Sequence, residues 1–400
     1  MNQNNGLLKD VRVIDLSRVL AGPYCTMMLG DLGAEIIKIE APVRGDDTRH
    51  WGPPFAEGGE SAYFLSTNRN KRSITLNLKS PNGMEVLKDL IRTGDVLIDN
   101  FKKGTLEKFG LDYEALQELR PGLIYCTITG FGYTGPYSDR PGYDFIIQAM
   151  GGLMSLNGPK DGEPFRVGIA IADILTGIYA GNAILASLFA RERTGEGQRI
   201  DMALLDSQVA SLSHVASNYL ITGERPKRFG NEHPTISPYQ VFKASDKYFA
   251  IGTGNDLQWV KFCKAIGREE WIEDERFATN PKRVENRDRL TPLLQPIFET
   301  KTAAEWIEMG DQIGLPAAQI NAVDEVFADP QVIARDSVNE VDHPTAGRIK
   351  IAASPLKIPT NPTSVRYPPP LLGEHNEEIL RDVLGYSEEK IEELKLDGLV

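Results

Sequence analysis

Cysteine is scarce: Cys25, Cys126 and Cys263 are the three in 400 residues, and no two form a CxxC pair. That spacing excludes a disulfide framework or a zinc knuckle and fits a reducing compartment. The five histidines, at 50, 214, 233, 343 and 375, show no metal-ligand spacing, so no metal site is expected. An excess of positive charge is also missing. Lys and Arg number 44 against 56 Asp and Glu, a net charge of −12. A general nucleic-acid binder needs a basic face to displace counterions, so no nucleic-acid partner is expected. A local cationic cluster on an acidic chain still suits a small anionic ligand. There is no Walker A loop and no GxSxG elbow, which argues against ATP chemistry by that route and against a hydrolase triad.

Long apolar runs are nearly absent. The exception is residues 167–190, VGIAIADILTGIYAGNAILASLFA, which is long enough to span a bilayer and carries no basic group. It holds Asp173 and Asn182, and an ionised carboxylate is costly in lipid. A core helix is therefore expected, and no membrane. The opening MNQNNGLLKD has neither a basic nor an apolar region, so a cytoplasmic location is expected.

What is present is an alternation of strand and helix signals over the first 130 residues. Strand-like runs fall at 11–16 (VRVIDL), 35–40 (EIIKIE), 73–78 (SITLNL), 96–99 and 123–129. Helical stretches separate them at 23–32, 81–92 and 113–119. Strands spaced by such helices imply βαβ units and a mainly parallel sheet in a Rossmann-like α/β layer. The turn after the first strand, SRVLAGPYCTMMLGDLG, has no GxGxxG, so a dinucleotide seat is not expected there. Glu40 reads as a solvated strand end. The middle is helical at 145–150, 173–190 and 204–220, with a strand at 198–202. A Gly-, Pro- and Arg-rich stretch at 222–238 reads as a linker. The length supports two domains. A large Rossmann-like domain is expected from 1–222 and 331–400, with a smaller α+β domain at 223–330. The chain from about 329 reads as irregular until two C-terminal helices.

Asp173 is the residue most suited to chemistry. A carboxylate inside IAIADILTGIYA loses hydration, which raises its pKa and sharpens it as a nucleophile when ionised. The same residue also reads as the cap of an apolar helix, and the two roles are compatible. Cationic groups stand near predicted strand ends: Asn70-Lys71-Arg72, Lys79, Lys102-Lys103 and Arg140, with Phe101 and Tyr143 beside them. They read either as solvated loop charges or as a cradle for an anionic, nucleotide-bearing ligand, the aromatics stacking on a base. Arg49, Arg228 and His233 are candidates to hold a distal carboxylate, although unpaired surface charge is the simpler reading of each.

These blocks, taken in order, resemble the class III coenzyme A-transferases of the CaiB/BaiF type. The likeness runs through RVIDLSRVLAGPYCTMMLGDLGAEIIKIEAP, NRNKRSITLNLKS, DNFKKGTLEKFGLDY, ITGFGYTGPYSDRPGYD, GIAIADILTGIYA, TGEGQRIDMALLDSQ and PLLGEH. GDDTRHWGPPF, SHVASNYL, SPYQVFKASD and PPPLLG are most similar to the branch that exchanges CoA between succinate and glutarate. The resemblance implies a Rossmann-like domain built from both chain ends, a small domain and an interlocked homodimer. It implies acyl-CoA and small carboxylic acids as substrates, with no tightly bound cofactor. The family's nucleophile falls on Asp173. Its coenzyme contacts fall on Val19, Leu20, Leu76, Asn77, Leu78, Lys79, Asn100, Phe101, Lys102, Lys108, Arg140, Tyr143 and Asp144. Departures bear on the alternatives. The glycine-rich flap of the formyl-CoA/oxalate branch is replaced by GNEHPTISPYQVF, and Ala41 stands where that branch has a coenzyme-binding arginine. The 2-methylacyl-CoA racemases carry a histidine where this chain has Tyr143, and racemisation needs two opposed acid/base groups.

Overall fold

The computed structural model describes residues 5–396. The chain divides into two compact units: one from residues up to Leu153, Val167–Leu220 and Ile333 onward, the other from Met154–Arg166 and Ile221–Val332. The first unit is an α/β layer around six strands, β1 (Arg12–Asp15), β2 (Glu35–Glu40), β3 (Lys71–Thr75), β4 (Val96–Asp99), β5 (Ile124–Thr129) and β6 (Arg199–Ala203). All pair in parallel in the order β3-β2-β1-β4-β5-β6. Connections run one way from β1 and the other way from β4, so the switch point, where a crevice opens at the carboxyl edge, lies between these two strands.

The strand sequences are apolar on both faces because both faces are covered. Val13, Ile36, Val96 and Ile98 pack with the helices Ala21–Asp31 and Ile171–Thr194. Ile14, Ile37, Ile74 and Leu97 pack on the other side with the helix Pro81–Thr93 and with Ile379, Leu380, Ile391 and Leu394 of the C-terminal segment. That segment is fastened to β3 by backbone and side-chain bonds, among them His375 N–H to Ser73 O at 3.0 Å and Thr75 N–H to Asn376 Oδ1 at 2.9 Å.

The long helix is the one helix among the described residues long and apolar enough to cross a membrane. It is not buried all round, as a core helix would be. Ala172, Thr176, Gly177, Ala180, Gly181 and Ile184 are covered, whereas Ile178, Tyr179 and Phe189 are exposed.

The second unit carries an antiparallel sheet of β7 (Tyr239–Lys243), β8 (Tyr248–Gly252) and β9 (Ala317–Gln319). Its core is aromatic: Phe242, Phe249, Trp259, Phe262, Phe298 and Trp306. Met154–Arg166 belongs to this unit rather than to the large domain. Arg228 donates to the carbonyls of Gly162 and Pro159 at 2.6 and 3.2 Å, and Lys160 pairs with Asp288 at 3.0 Å.

Four further differences from expectation are local. β3 begins at Lys71, two residues early, so Asn70, Lys71 and Arg72 lie at the amino end of the strand rather than in a ligand-facing loop. Their polar ends find partners inside the fold, which is why burial is tolerated. The expected 204–220 helix is broken at Ser213, whose φ is 48°. A hairpin, β10 (Val338–His343) with β11 (Gly347–Ala352), stands in the region read as irregular. Glu40 is buried at the end of β2, held by Arg49 through bonds of 2.8 and 2.7 Å and by Ser73 Oγ at 2.7 Å.

Candidate active site

A cavity of about 550 Å³ opens at the switch point. Its walls come from the turn after β1 (Arg18, Val19, Leu20), the turn after β4 (Asn100, Phe101, Lys102, Lys103), the segment after β5 (Arg140, Tyr143) and Asp173. Of the residues expected at the site, Asp173, Val19, Leu20, Asn100, Phe101, Lys102, Arg140 and Tyr143 thus share one wall. Leu76, Asn77, Leu78, Lys79 and Lys108 do not border it. Leu76 is buried in the core, Leu78 packs against it, and Asn77 Oδ1 accepts the Lys79 N–H at 3.1 Å in a turn at the carboxyl end of β3, two strands from β1. Asp144 does not border the cavity either.

Asp144 has a different task. Its Oδ1 accepts the Ala172 N–H at 2.8 Å and its Oδ2 accepts from Gln148 Nε2 at 2.7 Å. Gln148, fully buried, also accepts the Val167 N–H at 2.9 Å. The helix Ile171–Thr194 has Ala170 at its cap position, which offers no side-chain acceptor. Asp144 supplies that acceptor from another helix, satisfying one of the orphan N–H groups of the first turn. Asp173 is therefore not the cap: it is the third residue of the helix.

Asp173 sits where two effects oppose. Burial, and after it the charge of Asp144, pushes its carboxyl up to about 7. The helix N-terminus favours the anion. No hydrogen bond ties down its carboxylate among the described residues, so its lone pairs are available. Gly177 places it. A Cβ there would lie 2.6 Å from Ala21 O, so only glycine lets the long helix close on the first helix. Asp173, one turn before Gly177, is thereby set over the entry of that helix.

The cavity is framed by cations. Arg18 pairs with Asp47 at 3.0 Å, Lys103 Nζ meets Ser138 Oγ at 3.1 Å, and the Arg140 guanidinium lies 4.6 Å from the Tyr137 ring centroid. Lys102 is exposed beside them. Phe101 is fixed from behind: its N–H donates to Asp99 Oδ1 at 2.9 Å, while Tyr125 donates to Asp99 Oδ2 at 2.8 Å. Burial raises the Asp99 carboxyl to about 6.

Arg49 is not free to bind a substrate carboxylate. It is paired with Glu40 and stacks on Phe64 at 3.7 Å. Arg228 donates to backbone carbonyls, and His233 Nδ1 accepts the Thr235 N–H at 3.2 Å. Tyr63 does not border the cavity, but it feels the charge of Asp173. Burial, and then the charges of Asp173, Asp144 and Asp46, push its phenol up to about 12, and Trp51 stands edge-on at 5.2 Å.

Residues 8–376 match the family model for CoA-transferase family III. The chain belongs to that family. It is 46% identical to the human succinyl-CoA:glutarate CoA-transferase over 393 residues, 98% of this chain and 90% of the relative. It is 45% identical to the succinate–glutarate CoA-transferase of Agrobacterium fabrum over 381 residues, 94% of this chain and 95% of the other. A crystal structure of a CaiB/BaiF family protein from Brucella suis superposes with a TM-score of 0.86 at 46% identity, covering 95% of this chain and all of that one. As a family III CoA-transferase, the protein is an enzyme that uses CoA thioesters as substrates.

Proposed function

We propose that this transferase moves CoA between succinate and glutarate, with Asp173 as the acyl carrier. The carrying observation is a carboxylate with no side-chain partner in the wall of a cation-framed cavity at the switch point. The names of the relatives supply the acids.

Asp173 attacks the carbonyl of succinyl-CoA, forming a mixed anhydride and expelling the CoA thiolate. The thiolate attacks the aspartyl carbonyl, giving an aspartyl-CoA thioester and free succinate. Glutarate attacks that thioester, again releasing thiolate, which takes the glutaryl group and restores Asp173. Every bond broken is matched by one formed, so thioester energy is conserved. A carboxylate nucleophile divides one difficult exchange into easier steps. Lys102 and Arg140 pair with coenzyme phosphates and Phe101 or Tyr143 stacks on the base. Asn77, Lys79 and Lys108, which are exposed, extend the coenzyme path, whereas the side chains of Leu76 and Leu78 are taken up by the core. Asp144 acts by holding the entry of the nucleophile's helix.

The enzyme works as a homodimer in the cytoplasm. Phe145, Ile146, Met150, Ile178, Tyr179 and Phe189 are exposed on the first unit, and a second copy of the chain covers them. The domain division follows the two units.

The test is mass spectrometry of enzyme quenched during turnover with succinyl-CoA, with hydroxylamine as trap. An adduct on the Asp173 peptide, absent in Asp173→Ala, is expected. Turnover by Asp173→Ala at near wild-type rate would overturn the mechanism. Exchange at C2 of a 2-methylacyl-CoA in deuterated water, without added acid, would point to racemisation instead.

A further inference from the structure

Val19 is a β-branched residue with φ of 69°, in the left-handed region where such side chains are outliers. Strain of this kind persists only where surrounding structure over-determines it. Here the turn is tied at successive residues. Ser17 N–H donates to Asp15 Oδ1 at 2.9 Å, and Ser17 O accepts from Lys38 Nζ at 2.9 Å. Arg18 is clasped by the Asn100 amide, its N–H donating to Oδ1 at 2.9 Å and its carbonyl accepting from Nδ2 at 2.6 Å. Val19 N–H points at both Asp46 oxygens, at 3.2 and 3.3 Å.

Asp46 is held in turn. Lys38 Nζ bonds its Oδ2 at 2.9 Å, and Thr48 donates to its Oδ1 through N–H at 3.0 Å and Oγ1 at 2.8 Å. The Lys38 and Asp46 side chains are wholly buried, so each charge depends on the other. Burial works against both charges. Asp46, Asp15 and Glu40 nevertheless raise the Lys38 ammonium, and Lys38 with Thr48 lowers the Asp46 carboxyl. Neither residue borders the cavity, whereas Val19 and Leu20 do.

We propose that Lys38 and Asp46 are positioning residues: their buried pair holds Val19 in its left-handed conformation and so sets the wall against which CoA binds. The inference rests on the reading of the cavity as the coenzyme site. Without the pair, Val19 relaxes towards ordinary backbone, and the turn between β1 and the first helix moves out of register with Asn100. The loss falls on coenzyme binding rather than on the chemical step.

The test is a double-mutant cycle of Asp46→Asn with Val19→Gly, using calorimetric CoA binding and steady-state kinetics with succinyl-CoA. Asp46→Asn is expected to weaken CoA binding and raise KM about tenfold, with kcat at saturation within about threefold of wild type. Glycine adopts positive φ at no steric cost. In the Val19→Gly background the same Asp46→Asn change should therefore alter CoA binding by less than about threefold. Thr48→Val removes one hydroxyl bond to Asp46. It provides a milder second variant, with an effect of about threefold that is likewise erased beside Gly at 19. Equal factors in both backgrounds would mean the pair serves stability alone, and the proposal falls. No CoA binding by the wild type would overturn the coenzyme-site reading and this inference with it. Tight CoA binding without transfer would overturn only the succinate–glutarate reading and leave the cycle to decide.

Discussion

As the proposed nucleophile, Asp173 has to be ionised to attack a thioester, yet its surroundings lift it from an ordinary 3.8 to about 7. The acid form is inactive, so kcat/KM is expected to climb about tenfold per pH unit below 7 and to level off above it. A flat profile from pH 5 to 8 with succinyl-CoA would count against this carboxyl as nucleophile. The same shift affects stability. Between pH 3.8 and about 7 the folded chain holds a proton that the unfolded chain has lost, so stability falls as pH rises through that window. Above it the full cost of an ionised buried carboxylate is present. Asp173→Asn removes the charge and keeps the shape. It should lose transfer by at least about a thousandfold while gaining about 2 kcal/mol at pH 8 and little at pH 4. Thermal melts at the two pH values check the sign. Reading Asp173 required only its apolar neighbours in the chain. Its third position in the helix, and the cap supplied by Asp144, did not show there, because the partner lies 28 residues away.

Two glycines on one helix separate close approach from mere permissiveness. At Gly177 a Cβ would meet backbone, Ala21 O at 2.6 Å, which cannot yield without moving a helix. At Gly181 the nearest atom is Met28 Cε at 3.5 Å, an ordinary contact with the tip of a flexible side chain. Gly181→Ala should therefore be neutral or stabilise by up to about 1 kcal/mol through helix propensity. Gly177→Val should destabilise by about 2–3 kcal/mol and depress transfer, since Asp173 moves with its helix. Denaturant midpoints for the pair give the contrast, and similar losses at both positions would be inconsistent with this packing. Helix existence was readable from apolar periodicity and strands from β-rich runs. The break at Ser213 was not, since no Pro or Gly marks it, whereas the β10–β11 hairpin left a signal that the irregular reading passed over: Pro344 and Gly347 at its turn and the alternation Arg348-Ile349-Lys350-Ile351.

On the scale of the whole molecule, the apolar face formed by Phe145, Ile146, Ile178, Tyr179 and Phe189 calls for a cover. A homodimer by sedimentation at micromolar concentration is expected, and Phe189→Asp should shift the mass towards the monomer. A wild type that sediments as a monomer at all concentrations would remove the dimer from the account. The α/β class was legible at this scale, because strands buried on both faces must be apolar throughout and helices must lie between them. The cavity was legible in part: the turns after β1, β4 and β5 converge as a switch point requires, whereas the turn after β3 leaves the sheet two strands away.

The amino-acid order by itself determined the alternation of strands and helices, the family blocks and a carboxylate set among apolar residues, since each is encoded by neighbours along the chain. Only the tertiary structure decided which charges are buried. Glu40 read as a solvated strand end, Lys71 as a loop charge or part of an anion cradle, Arg49 as a surface charge or a substrate contact, and Lys38 drew no reading, yet each is enclosed and paired. The reason is physical: an ion can leave water only where a partner meets it, and Asp15 meets Lys71 across 56 residues of chain.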